Sequence, residues 1–379
     1  MLYQLLEIVR ERKEEIRSYL ESKDDNVSVD KVLENWTNYT PQHKDAHVCS
    51  SDGSFYSKQY LGFFLGVFSG YAESFNPSNL EKDEAFVGDI YISVIKQSDN
   101  FKTLLTLFMF LSEIKAAYNL AKEKNPDVIL LDGTLTSKFI IPFPLPYWFT
   151  KEIEEEKIFD VVSKVYEKLK KECLSYPSIY SLSKDISKLV LENLPEKRRD
   201  LFEVVISQLA YYEHLITFYN LLNLDYKPII LGIAKTSTGN DILKYPVPDI
   251  KLFLTYCKEL GYSKSVPQNL QNLKSEFGKL KDIDPQLNNN LYDLMIESFY
   301  GKYSDVRAIN LIEYYQNPDK PTIKKEEILD YLANTTAAGY NYPFILKRVD
   351  NQVRITASDF EIIERELGFW NFTTGREAL

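Results

Sequence analysis

The pattern of apolar and polar positions changes character several times along the chain. Leu2, Leu5, Leu6 and Val9, followed by Ile16 and Leu20, recur at helical spacing and predict a helical arm over residues 1 to about 35. From His47 to Ser74 the segments HVCSSDGSFYS and QYLGFFLGVFSGYAE read as two strands joined by a short turn, and AFVGDIYISVI (85–95) as a third. Residues 101–124 are apolar on nearly every face, the mark of a buried helix. DVILLDGTL (127–135) is a short apolar run of the kind found in the middle of a sheet.

Residues 150–225 read as a helical block, with Ile158, Val162, Val165 and Leu169 on one stripe. A later helix is expected to open at Pro195 and to carry Leu201, Val205, Leu209, Tyr212, Leu215, Phe218 and Leu222. KPIILGIAKTS (227–237) predicts another strand, 248–280 a polar helical stretch, and 293–315 a strand pair. Helices near 324–334, 343–352 and 357–367 close the chain. The expected architecture is α/β: a mixed sheet flanked by helices, with a helical insertion at about 150–225 and a C-terminal helical extension. That order is the order of a ribonuclease H-like fold. The expected division is an arm, 1–45, and one domain, 46–379.

Asp52-Gly53-Ser54 and Asp132-Gly133-Thr134 repeat one short pattern. Asp-Gly by itself is a turn signal. Here Asp132 ends an apolar strand and Asp52 lies inside a strand-like run, and ligands of open sheets collect where strands end. Glu113 interrupts a helix otherwise free of charge from Thr103 to Ser112. Lys115, two residues on, lies roughly 200° around the helix, so the two cannot share a face. If Asp52, Glu113 and Asp132 converge, carboxylates about 5 Å apart repel by roughly 3 kcal/mol at an effective dielectric of about 20. Such a cluster takes up protons or cations, and all-oxygen ligands favour Mg²⁺ or Mn²⁺. Two such ions suit hydrolysis of a phosphodiester. Lys235, after IILGIA, reads as an ordinary surface lysine at a strand end or as an ammonium for a scissile phosphate or a water; GIAKTSTG lacks the spacing of a P-loop.

Composition narrows the alternatives. Three histidines and three scattered cysteines leave little material for histidine-based chemistry, structural zinc or a disulfide framework. No apolar run suits a transmembrane helix and the charged N-terminus does not read as a signal peptide, so the expected location is cytoplasmic, with no membrane partner. The net charge of −10 runs against nucleic-acid binding, unless basic patches such as Lys197-Arg198-Arg199 act locally.

With SDGS at 51–54, the Glu113 helix, LLDGTL at 130–135, LGIAKTS at 231–237 and YPFILKRVD at 342–350, the chain resembles the NurA nuclease family over about residues 45–370. The resemblance implies a dimeric ribonuclease H-like protein and Mn²⁺-dependent DNA cleavage, with Mg²⁺ as a possible substitute. The implied activity is 5′ to 3′ exonuclease on single and double strands, and single-strand endonuclease. It also implies work with HerA, a hexameric ATP-driven translocase, in resecting DNA ends for recombinational repair. Asp52, Glu113 and Asp132 match the metal-binding carboxylates, Lys235 the lysine after the later strand, and Tyr342 the tyrosine of the Tyr-Pro motif. Asp350 stands where the family often has histidine, and there fits a further metal ligand. Two other readings stay open: a scaffold that holds DNA or a motor without cutting, and a metal-dependent phosphatase.

Overall fold

The computed structural model describes residues 2–21, 27–94, 98–140, 152–196, 201–268, 270 and 279–369. Two helices, α1 (Leu2–Glu21) and α2 (Val29–Glu34), precede a short strand β1 (Trp36–Asn38). Three long strands follow, β2 (Val48–Tyr60), β3 (Phe63–Asn76) and β4 (Glu81–Ser93), then α3 (Ser98–Lys124) and β5 (Val128–Asp132). A helical layer of α4 (Glu152–Glu172), α5 (Lys184–Asn193) and α6 (Phe202–Leu222) leads to β6 (Ile229–Ala234) and α7 (Asp249–Tyr256). Beyond them come β7 (Gly261–Ser263), β8 (Val266–Gln268), α8 (Leu280–Ile283), α9 (Pro285–Tyr292), β9 (Ile296–Lys302) and β10 (Asn310–Tyr315). The last helices are α10 (Lys325–Asn334), α11 (Phe344–Val353) and α12 (Ala357–Glu366).

The strands form one mixed sheet in the order β1-β7-β9-β10-β6-β5-β2-β3-β4, with β8 paired to β9. β2, β3 and β4 are antiparallel neighbours, whereas β2–β5 and β5–β6 are parallel. Side chains alternate across the sheet as strand geometry demands. Cys49, Ile129 and Leu131 enter one core, with α3 and α6; Val48, Val128 and Leu130 enter another, with residues of α10 and α11. α3 is apolar all round because it is covered all round, by β2–β4 on one side and α6 on the other. By length and composition it could cross a membrane, but 78% of its apolar window is buried inside the fold.

Two expectations are corrected. α6 opens at Phe202 rather than Pro195; a separate helix, α5, ends at Asn193 just before that proline. The stretch expected to be helical over 248–280 contains β7 and β8, which pair with β9, and β7 also carries β1 at the sheet edge. Strands of three residues are too short to display a period. On α1, Leu5, Leu6, Ile8 and Val9 are exposed. Lys197-Arg198-Arg199 lies outside the described residues.

The two Asp-Gly pairs serve different ends. Gly133 is a turn residue, with φ of +81°, and takes the chain off β5. Gly53 lies in mid-strand, opposite Gly70 of β3, where α3 presses on the sheet. A Cβ on Gly70 would come within 2.1 Å of the Ser112 backbone, and one on Gly53 within 2.8 Å of Met109. Gly70→Ala is therefore expected to destabilise the protein by about 3 kcal/mol, the upper range for overpacking, since backbone and not a side-chain tip must move. Urea denaturation checks this; a loss below about 1 kcal/mol would mean that α3 shifts freely.

Candidate active site

β5 pairs with β2 only as far as Ser51–Leu131, while β2 runs on to Tyr60 beside β3. This leaves a notch in the sheet. The next step of the register sets Asp52 beside Asp132 at its edge, on strands about 4.8 Å apart. Both side chains follow the alternation of Val48 and Val128, so they face the layer of α10 and α11.

Asp132 is held from two directions. The Tyr342 hydroxyl donates to its Oδ1 at 2.8 Å, and the Lys235 ammonium lies 3.5 Å from its Oδ2. Lys235 also sits over the Tyr342 ring, 4.0 Å from the centroid, so a cation–π contact steers the lysine back over the carboxylate. Burial and the Asp132 charge push the Tyr342 phenol far above its ordinary range, keeping it a neutral donor. Asp52 accepts from the Gly53 amide at 2.7 Å through Oδ1. Burial pushes its carboxyl up to about 6, with Asp132 and Asp350 adding to the rise and Lys138 opposing it.

Glu113 reaches the same place from the opposite face of the sheet, beside side-chain-free Gly53. It is 1% exposed, and both its oxygens lie 2.7 Å from the Lys138 ammonium. Burial pushes it up to about 7, Lys138 pulls it back, and the charges of Asp52 and Asp132 raise it again. Lys115 points instead into the helical layer, to Glu213 and the Cys173 carbonyl. Asp350, on α11, bonds to Arg354 at 2.9 Å, keeps 40% of its side chain exposed and adds its charge to the field at Asp52.

Asp52 feels the charges of Asp132 and Asp350, and Glu113 those of Asp52 and Asp132, yet among the described residues no three His, Cys, Asp or Glu side chains are gathered closely enough to cage a metal. The pair of strand aspartates fits a hard divalent cation: each carboxylate lies within electrostatic reach of the other, and hydrogen bonds occupy only part of their oxygens. Glu113 fits less directly, because a lysine already neutralises it.

Sequence reasoning did not single out Lys138, its supporters His214 and Glu313, or the Glu73–Arg348 pair that joins β3 to α11. The His214 Nε2 lies 2.7 Å from the Lys138 carbonyl, and burial lowers the imidazole to about 4. Glu313, 3% exposed, accepts from the Thr136 amide and hydroxyl at 2.8 Å. Glu73, 1% exposed, holds Arg348 at 3.0 Å and Lys82 at 2.9 Å. An acidic residue inside an apolar strand was the available signal for Glu73 and Glu313, the same signal that marked Glu113 in its helix.

The raised Asp52 carboxyl has a consequence for stability without metal. A folded-state pKa above the unfolded value favours folding while the proton is on. The contribution is full below about pH 4 and is lost as pH rises through 6. Between pH 4 and 7.5 in EDTA, wild type should lose about 2 kcal/mol relative to Asp52→Asn, which has no proton to give up. Paired denaturant titrations at the two pH values measure this, and parallel pH profiles would refute it.

Mixed sheet, helical layers and notch together define an α/β protein with an acidic site at a parallel-strand end. The NurA domain model matches residues 47–355, and the chain belongs to the NurA family. It is 27% identical over 375 residues to the probable DNA double-strand break repair nuclease NurA of Methanocaldococcus jannaschii, covering 96% of this chain and 89% of that protein. It superposes on the crystal structure of the NurA nuclease from Sulfolobus solfataricus with a TM-score of 0.62 at 19% identity, covering 97% of this chain and 95% of that one. A crystal structure of NurA bound to dAMP and manganese gives a TM-score of 0.61 at 16% identity, covering 95% and 94%.

Proposed function

We propose that this protein is a divalent-metal-dependent DNA nuclease acting in double-strand break repair. The observation that carries the reading is the register that sets Asp52 beside Asp132 at the sheet notch, with Tyr342 and Lys235 on the same carboxylate. The names of the relatives support it, as does a family member's complex with dAMP and manganese. The strand order β4-β3-β2-β5-β6 supports a ribonuclease H-like assignment for the core, with residues 1–45 as an arm on a nuclease domain over 46–379.

Asp52 and Asp132 are the proposed metal-holding pair, Mn²⁺ being the expected ion and Mg²⁺ a substitute. A divalent ion bound there supplies charge neutralisation and water activation for phosphodiester hydrolysis. The remaining work falls to the chain. Tyr342 pins one oxygen of Asp132 and so fixes the direction of the other. Lys235, with about half its side chain exposed, presents a cation to an incoming phosphate. Glu113 contributes negative charge from below, and Asp350 lies at the rim for a further ligand. Exonuclease polarity, single-strand endonuclease activity, a dimeric state, cytoplasmic location and a HerA-type hexameric partner are proposed from family membership. A net charge of −10 fits a nuclease whose tight DNA engagement depends on that motor.

The pairing of Glu113 with Lys138 favours one rival, a non-catalytic module that holds DNA or a motor. End-labelled DNA incubated with the protein in Mn²⁺, Mg²⁺ or EDTA separates them. Metal-dependent shortening supports the nuclease. DNA binding without turnover supports the rival, and turnover of small phosphate esters indifferent to polymer length points to a phosphatase. Lys235→Ala is expected to lower cleavage about tenfold to a hundredfold, below the roughly 10²–10³ lost with one buried, preorganised charge because this lysine is half exposed, and for the same reason to leave the melting temperature unchanged. Unaltered rates would remove Lys235 from the site.

A further inference from the structure

Lys138 has a mount that an ordinary lysine does not need. It closes a single 3₁₀ turn, Thr136–Lys138, immediately after β5 and the Gly133 bend. Three side chains from other elements fasten that turn: Glu313 of β10 takes the Thr136 amide and hydroxyl, His214 of α6 meets the Lys138 carbonyl, and Tyr211 of α6 donates to the Phe139 carbonyl at 3.1 Å. The ammonium, 3% exposed, then lies 2.7 Å from both oxygens of Glu113 and 4.9 Å from the centre of the Phe110 ring.

Burying a lysine costs several kcal/mol unless its partner is close and well oriented. A fold that needed only a stable core would use apolar residues here. This charge is instead delivered to Glu113, which also feels the charges of Asp52 and Asp132, and its field reaches Asp52 as well.

We propose that Lys138 is a built-in counter-ion: in the metal-free protein its ammonium stands beside Glu113 in place of a divalent cation, and a cation enters by displacing it from that carboxylate. Lys138 is a positioning residue in this scheme. It keeps Glu113 aimed at the notch when no metal is bound, and it sets how strongly the site takes metal up. Two cations at one carboxylate repel, so the lysine holds intrinsic metal affinity down until further negative charge, such as a phosphate, joins the site.

The inference rests on the metal-dependent reading above, and the test separates the two. Mn²⁺ binding is measured without DNA at one fixed pH, from the free-ion electron paramagnetic resonance signal, for wild type, Asp52→Asn, Asp132→Asn and Lys138→Met. The expected result is binding that both aspartate variants weaken and that Lys138→Met tightens at least tenfold. Unchanged or weaker binding by Lys138→Met, with both aspartates still required, overturns the counter-ion alone. No binding by wild type overturns the metal site and the counter-ion with it.

Lys138→Met leaves Glu113 buried without its partner, so a second measurement uses wild type only. The side-chain ¹⁵N resonance of Lys138, shielded from solvent exchange, is followed during Mg²⁺ titration. A shift that saturates together with Mg²⁺ binding is expected, and a resonance unmoved while Mg²⁺ binds overturns the proposal.

Discussion

Asp132→Asn should reduce Mn²⁺-dependent DNA cleavage by a factor of about 10² to 10³ or more while the protein stays folded. The magnitude is that for losing one preorganised charge from a site that works by electrostatics. Asparagine keeps a carbonyl oxygen for the Tyr342 hydroxyl, which now meets Asp132 at 2.8 Å, so the end of β5 stays tied to the Tyr-Pro segment. What disappears is the negative charge that lies 3.5 Å from Lys235 and raises the Asp52 carboxyl across the notch. Asp52→Asn should behave alike, because the two carboxylates act as a unit, and the double variant should be scarcely worse than either single one. Rates from single-turnover cleavage, with thermal melts as the fold control, decide the matter. Cleavage within about threefold of wild type in both single variants would remove the strand aspartates from the site.

The second large effect is on stability. Glu213→Ala should cost about 3–5 kcal/mol, the range for breaking a buried ion pair by removing one partner. Glu213 is fully buried on α6, accepts the Tyr180 and Ser181 amides at 2.9 and 2.7 Å, and is the carboxylate nearest Lys115, at 3.8 Å. Removing it strands two backbone donors and a lysine that is itself fully buried. The double variant Lys115→Met/Glu213→Ala, compared with each single variant, should recover a good part of the loss, since no buried ammonium is then left without a carboxylate. A coupling of less than about 0.5 kcal/mol in this cycle would show that the pair acts as two independent residues. Metal titration should leave the cost unchanged, which distinguishes this ion pair from Glu113–Lys138 at the other side of the same helix.

Much of the sheet was legible because long strands repeat their period many times. β2, β3 and β4, each of at least 13 residues, and the apolar runs of β5 and β6 were visible in the alternation or density of apolar residues. β1, β7 and β8 escaped because three residues carry no periodicity, and their places are set by pairing with β9 and with each other. The boundary between α5 and α6 escaped because Pro195 imitates a helix start, when it follows a helix end. At the site, Asp52, Glu113 and Asp132 were visible as charges in apolar surroundings. Lys138 was not, because a lysine ahead of an apolar run is ordinary; only the fastening of its turn by residues 72 to 177 positions away in sequence makes it unusual. The meaning of Asp-Gly was legible only as a choice. Gly133 is the turn the dipeptide usually marks, and Gly53 exists for the helix above it.

The seam between α3 and the Gly53–Gly70 pair has a bearing on engineering. The helix that presses into that side-chain-free strip is the one that carries Glu113 two residues from Leu111 and four from Met109. Packing of the hydrophobic layer and aim of the carboxylate are therefore one coordinate, and a variant selected for heat resistance by refilling this seam would retune the site without touching it. Thermostabilising substitutions are better sought on the exposed turns of α4 and α5, where the chain can be stiffened without turning the helix under the notch.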